Sequence, residues 1–546
     1  MRYQPDAKTA EPTPPETTVD AGTASPETAP AKAPAVRATP DKIESTLSPI
    51  RKDEFGYDQA RHLLWRAGFG GTPQQIETLA SWGPEKAVDY ILGYDKVEFE
   101  APAADKFDKD IMRPPTEEER RMVTEARRRQ DEETLAKAQL ERQRREREDR
   151  RQVGEMQKWW LKRMVETPRP LEEKMTLFWH GHFATNYRTI ENSYHVYLQN
   201  QLFRKHAIGS FADLLYGIIR DPAMIAYLDN NDSRKNRPNE NLAREIMELF
   251  ALGLGNYTEQ DIKEGARALT GYTFNDDEFV LQQNNHDTGA KTILGRKGNW
   301  DGDDFVRIIL EQPACAHFIA RKVYHYLVAD VPPDERGGDK SMPGPQRQAI
   351  RQMADALRSS RYQMRPMLRR LFLSDHFYSA RFMNDQVKSP ASLVVGAIRS
   401  LGAPARDLTI LADAMDLMGQ NIFYPPSVKG WEGGRAWINT STLFVRQNLL
   451  AFLLTGKRTQ GYDPTAETMK YDPLPLIAHL DEREGQAARN PGAIVEALMK
   501  LALGTTPAHA REPLMSFFAS NGNRVTRENV TGLLLLLTAM PEYQLC

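Results

Sequence analysis

Asn239-Glu-Asn-Leu-Ala-Arg-Glu-Ile-Met-Glu-Leu-Phe-Ala-Leu252 is the stretch that decides the fold class of this 546-residue chain. At about 100° per residue, Leu242, Ile246 and Leu249 share one apolar face of a helix. The opposite face is polar and carries Glu240, Asn241, Arg244, Glu245 and Glu248. The pattern predicts an amphipathic helix whose polar side lies either in solvent or along the wall of a cleft.

The same helical period recurs along most of the chain. It predicts helices over residues 171–180, 191–206, 258–270, 304–310, 314–328, 391–401 and 443–454. Alternating strand patterns are scarce, and a single hairpin is expected around residues 279–294. The sequence therefore predicts an all-α fold, with one large multi-helix domain over residues 57–546.

Two segments depart from this pattern. Residues 1–50 are rich in Pro, Ala, Thr and Glu, which predicts a disordered arm because such a segment buries too little surface to order itself. Residues 116–155 hold 12 Lys/Arg and 12 Asp/Glu, with opposite charges four residues apart, as in Glu117 and Arg121. This alternation predicts a long, charged, solvated helix that protrudes from the domain.

Composition excludes several classes of protein. The net charge is −2, so the basic excess typical of nucleic-acid-binding proteins is missing and no nucleic acid is expected as a partner. Two cysteines, Cys315 and Cys546, predict neither a disulfide framework nor a zinc motif. No stretch is long enough to predict a transmembrane segment, and no apolar signal-peptide core follows Met1. The compartment is therefore left open between an internal protein and an exported one whose leader is not part of this sequence.

Ten short segments together resemble one known family. They are 66–70, 178–183, 205–209, 227–230, 239–250, 268–271, 286–291, 387–390, 428–431 and 437–439. With these segments the chain resembles the bacterial domain-of-unknown-function 1800 family from about residue 57 to residue 546. The resemblance implies a large helical domain, export from the cell, and a protein partner related to the phosphatase-like family that is often encoded nearby.

The first candidate site residues are His180 and His182, within Phe178-Trp-His-Gly-His-Phe183. On a continuous helix, residues two apart point about 200° away from each other, so the two imidazoles could not hold one metal ion. Gly181 is a poor helix former, however. If the helix ends there, an extended chain would present both histidines on one side as metal ligands or bases.

The leading functional hypothesis joins these histidines to two later segments. Glu245, on the polar face of the central helix, would be a metal ligand or a general base. His286 would be a further ligand, oriented by the neighbouring carboxylate of Asp287. The four residues His180, His182, Glu245 and His286 would then form a hydrolase-like site, either around a divalent metal ion or as a histidine–carboxylate pair. No sequence feature marks an electron-transfer cofactor.

A second metal site is suggested by the loop before the central helix. In Asp229-Asn-Asn-Asp-Ser-Arg-Lys-Asn-Arg-Pro-Asn-Glu240, oxygen ligands fall at positions 1, 3, 5 and 12 of an EF-hand-like loop. These are Asp229, Asn231, Ser233 and Glu240, which would hold calcium. Arg234 occupies the position of the required glycine, and the alternative is a polar loop in which Asn239 caps the next helix.

Two non-catalytic functions stay open beside the enzyme. The helical body and the charged helix would suit a binding or assembly protein, since no decisive catalytic motif is present. Alternatively, Trp431 and Trp437 would form a platform for a carbohydrate, although tryptophans in such loops more often anchor the loop to a core.

Overall fold

The computed structural model describes residues 46–103, 107–332, 341–457, 470–484 and 490–546, and its fold is mostly helical. Its helices are Tyr57–Arg66 (α1), Pro73–Trp82 (α2), Pro84–Leu92 (α3), Glu117–Arg129 (α4), Glu132–Glu166 (α5), Pro170–His182 (α6), Tyr187–Ile190 (α7), Ser193–Lys205 (α8), Phe211–Ile218 (α9), Pro222–Tyr227 (α10), Asn241–Glu245 (α11), Glu259–Ala268 (α12), Gly302–Glu311 (α13), Pro313–Leu327 (α14), Gly344–Ser359 (α15), Met364–Phe372 (α16), Pro390–Leu401 (α17), Leu408–Leu417 (α18), Thr440–Thr455 (α19), Pro475–Glu484 (α20), Pro491–Leu503 (α21), Ala508–Ser520 (α22) and Arg527–Ala539 (α23). In the part of the chain that the structure describes, no helix is both long enough and apolar enough to cross a membrane.

The start of the described chain already belongs to the core. Leu47 and Ile50 are buried, and the Ile50 N–H donates to the carbonyl of Leu373. The packed region therefore begins about ten residues before the position that periodicity predicts. Residues 1–45 of the predicted disordered arm lie outside the described residues.

Two small hairpins are the only sheets among the described residues, where the sequence predicted one. Tyr272–Asn275 (β1) pairs antiparallel with Glu278–Leu281 (β2). Lys291–Ile293 (β3) pairs antiparallel with Arg296–Gly298 (β4). Each strand has only three or four residues, too few to show a clear alternating pattern in the sequence.

The charged segment forms two helices instead of one. Gln130 adopts a left-handed conformation after α4, and Asp131 then caps α5 by accepting the N–H of Thr134 at 3.1 Å. The second half of α5 enters the core through Asp149, Gln152, Val153, Met156, Trp159, Trp160, Leu161, Arg163 and Met164. Only α4 and the first half of α5 therefore match the predicted solvated helix.

Buried arginines close the C-terminal ends of two core helices. Arg399 donates to the carbonyls of Val165 and Thr167, both at 2.8 Å, at the end of α5. Arg61 donates to the carbonyl of Leu501 at 2.9 Å, near the end of α21. A cation there satisfies carbonyls that lack a partner within the helix and opposes the negative end of its dipole. These contacts join segments that lie hundreds of residues apart, and they fix the frame around α6.

Candidate functional site

His180 lies in the last turn of α6 and is buried among aromatic rings. Its ring centroid is 5.5 Å from those of Trp160 and Phe423 and 5.4 Å from that of Trp431. Nε2 accepts the backbone N–H of Phe423 at 3.0 Å, which places the ring proton on Nδ1. Burial lowers the pKa of His180 to about 3, so this imidazole is neutral near pH 7.

His182 is buried one residue beyond Gly181 and makes the opposite kind of hydrogen bond. Its Nε2 donates to the carbonyl of Phe250 at 2.9 Å, so here the proton is on Nε2. Phe250 lies in the π-helix Ile246–Ala251, which continues α11. Its carbonyl is near the end of that helix, where carbonyls lack partners within the helix, and His182 satisfies it. Burial, together with Lys322, lowers the pKa of His182 to about 3.

These contacts exclude the extended His-Gly-His arrangement that the sequence allowed. The helix α6 runs through His182, so the two rings point to different neighbours, the Phe423 backbone and the Phe250 backbone. Both Nε2 atoms are engaged, and both rings are too buried to take a proton near neutral pH. His180 and His182 therefore hold segments of the fold together.

The two glutamates of the π-helical segment have different surroundings, although both are partly buried. Glu248 accepts the hydroxyl of Tyr257 at 2.9 Å. Glu245 has no hydrogen-bond partner among the described residues. Burial and the charge of Glu248 raise the pKa of Glu245, while Arg244 and Lys429 act against that rise. Glu245 is therefore a carboxylate that is partly removed from water and left without a hydrogen bond.

Tyr227 and Lys429 complete this cluster, which we call the Glu245 site: Tyr227, Glu245, Glu248, Tyr257 and Lys429. Burial and the charge of Glu245 both raise the pKa of the Tyr227 hydroxyl, which places that side chain near the carboxylate. Lys429 is exposed and lies close enough to Glu245 to lower its pKa. The site thus combines an unpartnered carboxylate, a second carboxylate, a cation and two hydroxyl groups.

Gly430 anchors Lys429 beside the C-terminal end of α6. Its φ of +76° is a conformation that side chains disfavour, and a Cβ atom there would overlap the carbonyl oxygen of Gly181. The next residue, Trp431, packs over Gly181 and the His180 ring. The buried histidine turn therefore serves as the support on which the loop carrying Lys429 rests.

His286 and Asp287 do not form the predicted orienting pair. The Nδ1 atom of His286 donates to the carbonyl of Thr270 at 2.8 Å. The carboxylate of Asp287 instead accepts Nε and Nη2 of Arg267 at 2.7 and 3.2 Å, which lowers its pKa. Among the described residues, no recorded hydrogen bond or ion pair joins His286 to His180, His182 or Glu245.

The loop Asp229–Glu240 is organised by its own hydrogen bonds. The Oγ atom of Ser233 accepts the Asn239 N–H at 3.1 Å, and Glu240 pairs with Arg244 at 3.0 Å. Asp229 and Asn231 are exposed. Two of the four proposed calcium ligands are therefore engaged elsewhere. The Oδ1 atom of Asn239 accepts the Asn241 N–H at 2.9 Å, as the alternative of a capping loop requires.

Metal and carbohydrate binding find little support in the geometry. Within the described ranges, no group of three or more His, Cys, Asp or Glu side chains is arranged to hold a metal ion. Trp437 is buried, and its carbonyl accepts the Thr442 hydroxyl at 3.0 Å, so it anchors a loop. A platform made of Trp431 and Trp437 is therefore not available to a sugar.

Sequence reasoning found Glu245 but missed Tyr227 and Lys429 as members of its site. Both lie in segments that carry the family resemblance, 227–230 and 428–431. Those segments were the available signal, because Tyr and Lys in a loop otherwise fit many roles. Their proximity to Glu245 depends on the packing of α10 and of the Gly430 loop, which no local pattern shows.

The fold and site define a mostly helical protein with a carboxylate–lysine–tyrosine cluster at its surface. A family model described as "Protein of unknown function (DUF1800)" matches residues 62–545, and the chain belongs to that family. No curated protein and no solved structure matches the chain. The function therefore has to be argued from the site itself.

Proposed function

We propose that the protein is a hydrolase in which Glu245 is the general base. The observation that carries this proposal is the state of Glu245: partly buried, with a raised pKa, and without a hydrogen-bond partner among the described residues. A carboxylate whose pKa is raised is a better proton acceptor than an exposed one. Perturbed carboxyl groups of this kind are concentrated at functional sites.

The neighbouring groups supply the other roles that hydrolysis needs. Glu245 would take a proton from a water molecule while the water oxygen attacks the carbonyl carbon of an ester or amide. The ammonium group of Lys429 would stabilise the negative charge that develops on the carbonyl oxygen. The proton would then pass from Glu245 to the leaving group as the carbon–oxygen or carbon–nitrogen bond breaks, and Tyr227 would position the substrate.

The pair of glutamates supports this division of labour. Glu248 already accepts a hydroxyl hydrogen bond from Tyr257, whereas Glu245 has none, so the two carboxylates differ in their readiness to accept a proton. The π-helix Ile246–Ala251 follows Glu245 directly. Such insertions in helices are frequent at functional sites.

The test is hydrolysis of chromogenic esters and anilides by the full chain, compared with Glu245→Gln. We expect the variant to keep the melting temperature and to lose about 10²- to 10⁴-fold in kcat, the usual contribution of a general base. Glu259→Gln is the matched control, because Glu259 is an exposed carboxylate nearby that pairs with Arg244. Equal rates for the wild type and Glu245→Gln on every substrate would contradict the proposal.

A further inference from the structure

A separate cavity lies at the C-terminal end of α8, and none of its lining residues belongs to the Glu245 site. Its volume is about 380 Å³. Its walls include Tyr94, Glu172, Gln201, Arg204, Lys205 and Arg365. This volume is at the lower end of the range for small-molecule pockets, roughly 300–1,000 Å³.

Arg204 connects the cavity to a buried ionic network. Its Nε and Nη2 atoms donate to the fully buried carboxylate of Glu173 at 2.9 and 3.1 Å. Glu173 also accepts Arg163 and, at 2.8 Å, the indole N–H of Trp160. The Nη1 atom of Arg204 has no partner among the described residues, although the residue is only 7% exposed. An unfilled donor of a buried guanidinium is unfavourable, and an acceptor bound there would relieve the cost.

The charges around the cavity do not balance. The cations are Arg163, Arg169, Arg204, Lys205 and Arg365, and the carboxylates are Asp95, Glu172 and Glu173. Five cations against three carboxylates leave two positive charges. Arg365 is paired with Asp95 at 3.1 Å, whereas Lys205 is exposed and has no ion pair among the described residues. The excess favours an anion at this place.

We infer that this cavity binds a small anionic ligand through Arg204 and Lys205. The guanidinium group offers Nη1, and the ammonium group offers a second charged donor at the rim. Gln201 and Tyr94 add neutral polar groups to the wall. A carboxylate and a phosphate group present the same kind of oxygen acceptors to such donors, so the shared chemistry is an oxyanion.

The test is calorimetric titration of the full chain with inorganic phosphate and, separately, with succinate. Lys205→Glu reverses a charge on an exposed side chain, and we expect it to weaken binding by at least about tenfold without changing the melting temperature. Arg204→Lys keeps the charge but removes Nη1, and we expect it to weaken binding as well. Lys263→Glu, an exposed lysine on α12, is the control and should bind as the wild type does.

Each result decides the matter. Saturable binding of phosphate alone supports a phosphate-bearing ligand, and binding of succinate alone supports an organic acid. No heat from either anion at millimolar concentration would overturn the inference. So would binding that Lys205→Glu leaves unchanged, because the anion would then lie elsewhere. If Arg204→Lys lowers the melting temperature, the Lys205 variant alone carries the decision.

Discussion

The histidine turn of α6 and the Glu245 site are neighbours that use polar residues in opposite ways. His180 and His182 are buried, hydrogen-bonded to backbone groups, and have pKa values lowered to about 3. Glu245 has a raised pKa and no hydrogen-bond partner among the described residues. The comparison teaches that motif membership does not by itself mark chemistry. The state of the polar atoms, filled or unfilled, separates the support from the reactive group.

The physical reason for the difference lies in what burial does to each group. A neutral imidazole can satisfy one donor and one acceptor without charge, so it can be fully buried in a core at moderate cost. A carboxylate that is buried without a partner destabilises the fold, and natural proteins tolerate such groups mainly where function requires them. The histidines thus hold together three segments, and Glu245 bears the cost.

The largest expected effect is on stability, from His182→Ala. The change leaves the Phe250 carbonyl without its donor and removes a ring from the aromatic core, so we expect a loss of about 4 kcal/mol in the free energy of unfolding. Glu245→Ala should change that energy by no more than about 0.5 kcal/mol. Urea unfolding of both variants measures the contrast. A loss below about 1 kcal/mol for His182→Ala would remove the structural role assigned to this histidine.

The second expected effect is on the pH dependence of stability, where the two regions have opposite signs. The pKa of His182 is about 3 in the folded state and about 6.5 when unfolded, so below pH 6.5 the unfolded chain binds the extra proton. Stability therefore falls as the pH drops from 6.5 towards 3, by about 1.4 kcal/mol per pH unit for each such histidine. The raised pKa of Glu245 acts the other way, because its contribution is lost as the pH rises above 4.5.

His182→Gln separates the two signs, because an amide keeps a donor but does not titrate. Urea unfolding between pH 4 and pH 7 should show an acid slope that is smaller than that of the wild type by about 1.4 kcal/mol per pH unit. Glu245→Gln should leave that acid slope in place. An unchanged slope in His182→Gln would mean that this histidine takes up a proton in the folded state.

Much of the helical framework was predictable from the sequence because its signals are local. The predicted helix 191–206 is observed as Ser193–Lys205, and Asn192 caps it through the N–H groups of Tyr194 and His195. The π-helix Ile246–Ala251 was not predictable, since a period of apolar residues does not specify which carbonyl each N–H chooses. The split of the charged segment at Gln130 was missed because both halves share the same charge pattern.

The candidate site was predictable only in part because its contacts are not local. Sequence placed Asp287 beside His286, but Arg267 offers that carboxylate two charged hydrogen bonds from twenty residues away, and it prevails. Glu245 stood out on the polar face of its helix. That it lacks a partner, and that Lys429 comes close to it, depends on the loop held by Gly430 against Gly181.

The smallest expected effect, and the sharpest test of the comparison, comes from Lys429→Gln. The cation of Lys429 lowers the pKa of Glu245, so its removal raises that pKa further while an exposed side chain should cost less than about 0.5 kcal/mol of stability. A general base acts in its ionised form, so the acid limb of the pH–rate profile should move to higher pH. Carbodiimide labelling reports the same change without a substrate, since it modifies protonated carboxyl groups. The labelling of Glu245 near neutral pH should increase in Lys429→Gln and stay unchanged in Lys263→Glu. If neither the pH–rate limb nor the labelling moves, Lys429 does not act on Glu245, and the cluster is a set of independent surface groups.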